Sequence, residues 1–191
     1  MVKSKTVDKW KLKSWYTIYA PEMFEGKETG KILSLEDKQL MNRILKISLA
    51  DLTGDLSQSY TNLHFRVVSV TGKTAQTAML GHELSRGYLK TLVRRGRSVL
   101  PVVKDVVTRD GVSLRVKAVA FTARRVSSPV AKAIRAEVVG EITDRSKEMS
   151  FSQMEQEMIF GKFSSRLFNR IKKISPIKRV EIRKTEVISK K

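Results

Sequence analysis

Three short strings in this 191-residue chain hold residue types that could do chemistry. Asp51 and Asp55 lie in one predicted turn and could hold Mg²⁺ between them, the pairing a metal-dependent RNA-cleaving enzyme needs. Asp and Gly are also what a turn selects without any metal. Gly72-Lys73-Thr74 matches the end of a phosphate-binding loop, but that motif needs a glycine five positions before Gly72, where Val67 stands within a predicted strand. It reads as a hairpin turn. His82-Glu83 opens like the helix of a zinc protease, yet the second histidine would be needed where Arg86 stands. With no cysteine and two histidines there is no disulfide, no thiolate zinc site and no thiol nucleophile. We read the chain as non-enzymatic, with no cofactor, no metal site and no small-molecule substrate.

The residues that remain are cations, and they are clustered. Residues 1–20 carry +4 (five Lys against Asp8), residues 86–125 carry +9 (eleven Lys/Arg against Asp105 and Asp110), and residues 162–191 carry +9 (eleven against Glu181 and Glu186). The two stretches between them come to −1 and −2, within a net charge of +19. Three basic blocks on a near-neutral scaffold point to three contact regions for a polyanion, and nucleic acid is the leading partner. Arg94, Arg95, Arg97, Arg124 and Arg125 can each grip phosphate bidentately and stack on bases, whereas the lysines of the first block act as mobile point charges. In that block Lys9, Lys11 and Lys13 flank Trp10, which suits base or sugar stacking. Trp15, Tyr16 and Ile18 fit equally a first strand packed on the core or a second set of exposed rings. No aromatic sheet motif or glycine loop of the common sequence-reading RNA modules is present, so shape and phosphate contacts are expected to dominate.

The elements that must position these groups can be read from periodicity. Residues 1–20 read as a basic aromatic arm, extended and then forming a short strand, and residues 21–41 as a loop punctuated by Pro21, Gly26 and Gly30. Leu45, Ile47 and Leu49 alternate as a strand, and after the Asp51–Asp55 turn Leu63, Phe65 and Val67 do the same. Another strand runs from Thr74 to Leu80 after the Gly72 turn. A second hairpin is predicted over Val99–Thr108 and Val112–Thr122, with Leu114, Val116 and Ala118 pointing inward.

A helix from Ser85 to about Arg97 would set Arg86, Lys90, Arg94 and Arg97 on one face. A second, about 128–147, opens with Ser128 as N-cap and Pro129 at the first helical position. Ser150 and Gln153 form a capping box for a third, with Met154, Met158, Leu167, Ile171 and Ile174 buried and Gly161 interrupting it. Arg166, Arg170 and Lys173 fall on its other side, and Lys178 and Arg179 lead into a last strand carrying Val180 and Ile182. The expected fold is one α+β domain over residues 21–191, its mostly antiparallel core of about six strands resembling a β-barrel, with flanking helices and basic terminal extensions. With no apolar run of the length a signal peptide or membrane span requires, a cytoplasmic, membrane-free setting is expected.

Taken together these landmarks resemble one family. Trp15-Tyr16-Thr17-Ile18 followed by Ala20-Pro21 and Met23-Phe24 is similar to the opening of the small-subunit ribosomal protein S-three-A family of archaea and eukaryotes. So are Asp51-Leu52-Thr53-Gly54-Asp55, the run from Gly81-His82-Glu83-Leu84 to Leu92-Val93-Arg94-Arg95, and the loop Thr108-Arg109-Asp110-Gly111. Ala133-Ile134-Arg135, Gly161-Lys162 and Pro176 with Arg179-Val180-Glu181-Ile182 complete a collinear match over nearly the whole chain. Gly96 interrupts a basic run that family members often continue, and the chain has the length of a short, archaeal-type form. The resemblance implies a β-barrel core with helices, bound to small-subunit rRNA on the platform near the mRNA exit. It also implies neighbouring ribosomal proteins as partners, mRNA passing nearby, a ribosome-bound location and no catalysis. A free-standing RNA-binding translation or processing factor would share every charge feature.

Overall fold

The computed structural model of the chain describes residues 10–190, with side chains described through residue 188. Eight strands and five α-helices follow in the order β1 (Ser14–Tyr19), β2 (Glu28–Ser34), β3 (Ile44–Ser48), α1 (Leu49–Thr53), β4 (Thr61–Thr71), β5 (Thr74–Leu84) and α2 (Arg86–Leu92). Then come β6 (Val99–Val107), β7 (Val112–Thr122), α3 (Ser128–Glu148), α4 (Phe151–Ile159), α5 (Lys162–Ile171) and β8 (Ile177–Lys190). The fold is α+β and, apart from β1 against β5, antiparallel throughout. All eight strands form one sheet, but it does not close into the expected barrel.

The sheet is forked instead. Along one edge β5 pairs with β4, and β4 with β3. Its other edge is shared: Thr74–Gln76 pair in parallel with Thr17–Tyr19 of β1, and Glu83 pairs with Lys184 of β8. The β1–β2 ribbon and the β8–β7–β6 wing therefore leave the same strand at opposite ends. β7 and β8 are paired along their whole lengths, from Val112 opposite Lys190 to Thr122 opposite Ile177. The apolar face of this wing is covered by helices, with α3 against β6 and α5 against β8, so burial that a barrel achieves by closure is achieved here by a helical layer.

The core follows the sequence periodicities. Leu114, Val116 and Ala118 of β7 are buried as the alternation requires, together with Ile134, Val138 and Ile142 of α3 and Met154, Met158, Leu167 and Ile171 of α4 and α5. Each large side chain buried in this way contributes roughly 2 kcal/mol. Ser150 and Gln153 form the capping box, and Gly161, at φ 76°, separates α4 from α5 in the left-handed conformation that favours glycine.

Five expectations are corrected. The supposed loop 21–41 contains β2, a half-exposed ribbon partner of β1 whose Gly30 and weak alternation hide it from a periodicity reading. Leu49 does not extend β3, because the Ser48 hydroxyl accepts from the Ala50 N–H and turns the chain into α1, so the Asp51–Asp55 segment is a helical turn and its exit. α2 stops at Leu92, with Val93 extended and Gly96 at φ 76°, so a helix to Arg97 does not form. α3 begins at Ser128 with Ser127 as N-cap and Pro129 in second place. Ile174 lies beyond the end of α5 and is 41% exposed.

Gly81 stands where β8 meets β5. Its φ is +146°, and a Cβ there would lie inside 3.0 Å of the Thr185 carbonyl. Beside it the His82 N–H donates to the Thr185 hydroxyl at 2.9 Å, and His82 Nδ1 lies 2.9 Å from Glu155 Oε2 of α4, all three side chains buried. Gly81→Ala forces the two backbones apart, and overpacking of this kind costs about 1–3 kcal/mol. The expected result is a melting temperature lowered by roughly 2–12 °C, measured by circular dichroism.

The solvent face of the wing carries charges of alternating sign. Arg115 of β7 donates twice to Asp105 of β6 at 2.7 Å, while Lys117 of β7 and Lys184 of β8 hold Glu186 at 2.8 and 2.6 Å. Lys184 continues to Glu83 of β5 at 3.5 Å, and Glu83 to His64 of β4 at 3.5 Å. Hydrogen bonds from Lys117 and then Lys184 bring the Glu186 carboxyl down to about 2. A depressed carboxyl stabilises the fold fully above its unfolded value near 4.5 and ceases to do so as pH falls toward 2. Urea titrations should show stability declining across that window, and a smaller decline in Glu186→Gln.

Candidate nucleic-acid interface

The second and third basic blocks, separate in sequence, are brought to one end of the wing. Three connections meet there: α2 to β6 with Arg94, Arg95 and Arg97, β7 to α3 with Arg124 and Arg125, and α5 to β8 with Lys173, followed by Lys178 and Arg179 at the start of β8. Hydrogen bonds lock them together. The Thr122 N–H donates to Ser98 O at 3.0 Å and the Ser98 N–H to the Thr122 hydroxyl at 2.8 Å. That hydroxyl donates to Arg124 O at 2.6 Å, the Val126 N–H reaches Ser98 Oγ at 3.2 Å, and the Ala123 N–H reaches Pro176 O at 2.9 Å.

These connections form a rim. Among the described residues no carboxylate pairs with Arg94, Arg95, Arg97, Arg124, Arg125, Lys173 or Lys178. All of them are exposed except Arg97, which is half-buried. Arg86 and Lys90 extend the charge along α2, exposed on the short helix rather than continuing into the expected four-residue stripe. A one-signed rim without internal counter-ions repels itself, and a bound polyanion relieves that repulsion.

Three of the arginines read as contact residues are held within the protein. Arg170 pairs with Glu137 at 2.6 Å and also with Glu141 of α3, Arg166 with Glu157 of α4 at 3.2 Å, and Arg179 with Glu181 at 2.5 Å. The Glu141 hydrogen bond, foremost, holds the Arg170 guanidinium above its ordinary value. Arg166 and Arg170 fasten the helical layer to itself and Arg179 is paired within β8, so they do not belong to the rim in the sense that Arg94 or Arg124 does.

The first block lies elsewhere. β1 runs parallel to β5 from Thr17 opposite Thr74, so residues 10–13 sit beyond the start of β5, at the end opposite α2. Lys9 lies outside the described residues. Residues 10–13 make a turn rather than an extended arm, with the Lys13 N–H donating to Trp10 O and Lys13 Nζ 4.1 Å over the Trp10 ring. Trp10 is 65% and Trp15 58% exposed, Lys11 is exposed, and Tyr16 and Ile18 are buried. Tyr16 donates to Asp37 at 2.6 Å. The strand thus divides its aromatic residues between core and solvent, and the exposed Trp15 joins Trp10 and Leu12 at this second basic end.

The other chemistry-bearing strings have local explanations. Asp55 accepts from the Ser57 N–H at 2.9 Å and the Ser57 hydroxyl at 2.6 Å, which together lower its carboxyl, and Asp51 lies exposed on α1. Gly72-Lys73 is the two-residue turn between β4 and β5. His64 faces Glu83, and burial pushes its imidazole down.

A cleft missed from sequence opens beside the rim. It has a volume of about 600 Å³ and lies between the starts of β4 and β8, the end of β5 and the α4–α5 corner. Tyr60 lines it and stacks on Tyr88 of α2, their centroids 3.9 Å apart and planes 12° from parallel. The Tyr88 hydroxyl donates to Glu181 at 3.0 Å, and burial followed by the Glu181 charge pushes the phenol upward. The position of Tyr88 on α2 gives no sign in sequence of a partner in β8, 93 residues on.

A forked antiparallel sheet with a helical layer and an open cationic rim defines a class: a basic α+β scaffold domain that meets its surroundings through loops and strand ends. The chain belongs to the Ribosomal S3Ae family, whose model matches residues 1–191. It is similar to the small ribosomal subunit protein eS1 of Sulfurisphaera tokodaii, 41% identical over 181 residues that cover 95% of this chain and 94% of the relative. Against the eS1 protein of Sulfolobus acidocaldarius the identity is 40%, covering 95% and 92%, and against that of Saccharolobus islandicus 39%, covering 95% and 87%. Among the described residues no helix is long and apolar enough to cross a membrane.

The two kinds of arginine should separate in stability measurements. Arg170→Ala removes the partner of Glu137 and one of the two arginines that hold Glu141, and is expected to lower the melting temperature. Arg94→Ala and Arg125→Ala remove self-repulsion and should leave it unchanged or slightly higher, by differential scanning fluorimetry.

Proposed function

We infer that this chain is a structural constituent of the small ribosomal subunit that binds rRNA through the cationic rim, without cofactor and without catalysis. The observation that carries the reading is the assembly of seven carboxylate-free cations, five of them arginines, from three sequence-distant connections at one end of the sheet. Family membership and relatives named as small ribosomal subunit proteins support the ribosomal setting. Arginines on loops fixed by hydrogen bonds lose little freedom on gripping phosphate, and their spread over three loops follows a folded RNA surface better than a straight groove.

In this reading the rim and the Trp10–Trp15 end take RNA on opposite sides of the domain, and Arg166, Arg170 and Arg179 support the protein rather than the contact. The platform near the mRNA exit, with neighbouring ribosomal proteins and mRNA close by, is the location the family resemblance implies, and a ribosome-bound, cytoplasmic protein follows from it.

Six or more phosphate contacts weaken binding by about 10³- to 10⁵-fold between roughly 50 and 200 mM salt. Filter binding to small-subunit rRNA should show that dependence. Arg94→Ala, Arg95→Ala, Arg124→Ala and Arg125→Ala combined should flatten the log–log salt slope by roughly one per arginine. Salt-independent affinity, or release from purified small subunits in a modest salt wash, contradicts the reading.

A further inference from the structure

We propose that the cleft beside the rim receives a single nucleobase turned out of the bound RNA strand, a proposal that rests on the RNA-binding reading above. At about 600 Å³ the cleft lies within the size range of small-molecule pockets and is ample for one base with its sugar. Its walls offer what base recognition needs: flat aromatic surfaces and unfilled hydrogen-bonding positions.

Tyr60 is held in place by its stack on Tyr88. Phe160 also lines the cleft, at the α4–α5 corner where Gly161 in the left-handed conformation turns the chain, and it is 47% exposed. A lone exposed phenylalanine is ordinary, but one lining the same cleft as a tyrosine fixed by stacking gives a planar group two aromatic surfaces to meet. Gln58 lines the same cleft, and its Oε1 is shielded from solvent without a hydrogen-bond partner. Buried polar atoms are rarely left so, and a turn of the carboxamide toward the cleft would let an exocyclic amine or ring N–H of a base satisfy it. The Asn169 carboxamide, exposed at the edge, presents both a donor and an acceptor.

The mouth of the cleft belongs to the rim. Lys178 lines it and has no carboxylate partner among the described residues, while Arg179 beside it is held by Glu181, so phosphates next to an inserted base meet the charge of Lys178. An extended peptide would fit the volume, but its backbone is uncharged, whereas an RNA strand brings a phosphate at every nucleotide to Lys178. Turning a base out of its stack costs a few kcal/mol, least where the base is already unpaired. The occupant is therefore a bulged or loop nucleotide.

The test compares the full chain with Phe160→Ala/Gln58→Ala and with Phe160→Tyr, by base-specific chemical probing of small-subunit rRNA together with salt titrations of affinity. The parent should protect the base edge of one unpaired nucleotide. The double variant should restore that reactivity and weaken binding roughly tenfold with the salt slope unchanged, and Phe160→Tyr should keep the protection. A photo-crosslinking residue at position 160 should label RNA in intact small subunits. If the parent binds rRNA with steep salt dependence but the double variant changes no nucleotide's reactivity, the cleft proposal falls and the RNA reading stands. A parent that does not bind rRNA overturns both. Labelling of protein at position 160 overturns the base proposal in favour of a peptide occupant.

Discussion

The contact between β5 and β8 governs this structure. A strand pair that meets in register at Glu83 and Lys184 requires backbones closer than a side chain at position 81 permits, and glycine supplies the space. The Thr185 hydroxyl, His82 and Glu155 then tie that crossing to α4, so one small polar cluster fixes strand, strand and helix together. Everything at the rim inherits its position from this crossing. β8 is placed by β5, β7 by β8, and β6 by β7, and the three connections that carry the arginines hang from the ends of those strands.

Charge is redistributed by folding. In sequence the second and third blocks appear as two separate cationic stretches, yet much of their charge is neutralised within the protein. Arg115, Lys117 and Lys184 enter the cross-strand ladder with Asp105, Glu186 and Glu83, and Arg170 is absorbed by the acids of α3. What stays uncompensated is a smaller set concentrated in loops. A ladder on a flat sheet face can satisfy itself because opposite charges sit on neighbouring strands about 5 Å apart, whereas loop arginines have no such neighbours.

The legible parts of the fold were those coded locally. The two hairpins follow from alternation broken by Thr71-Gly72-Lys73 and Arg109-Asp110-Gly111, and the α4 start from Ser150 and Gln153. The buried faces of α3, α4 and α5 follow from helical spacing. What was hidden depends on partners distant in sequence. β2 is a strand because β1 offers it a ladder, α2 ends early although its cationic spacing continues, and closure into a barrel is a global property that no local pattern encodes. For the interface, composition picked out the arginines as a chemical type. It could not tell Arg124 from Arg170, because what separates them is a glutamate on another helix. The cleft was illegible for the same reason: Tyr60, Phe160 and Gln58 come from three elements and share nothing in sequence.

The fork has a temporal meaning as well. β8 lies between β5 and β7 and, among the described residues, is the only strand that joins the β1–β5 half of the sheet to the β6–β7 hairpin. While a chain is being made, the two halves can each pair internally, but they have no shared core until residues 177–187 are free to insert. Before then the hairpin exposes the full pairing edge of β7, an aggregation-prone surface in a nascent chain. The same strand that sets the rim thus makes the union of the two halves wait for its own synthesis, and the arginine-bearing loops are assembled together when it inserts.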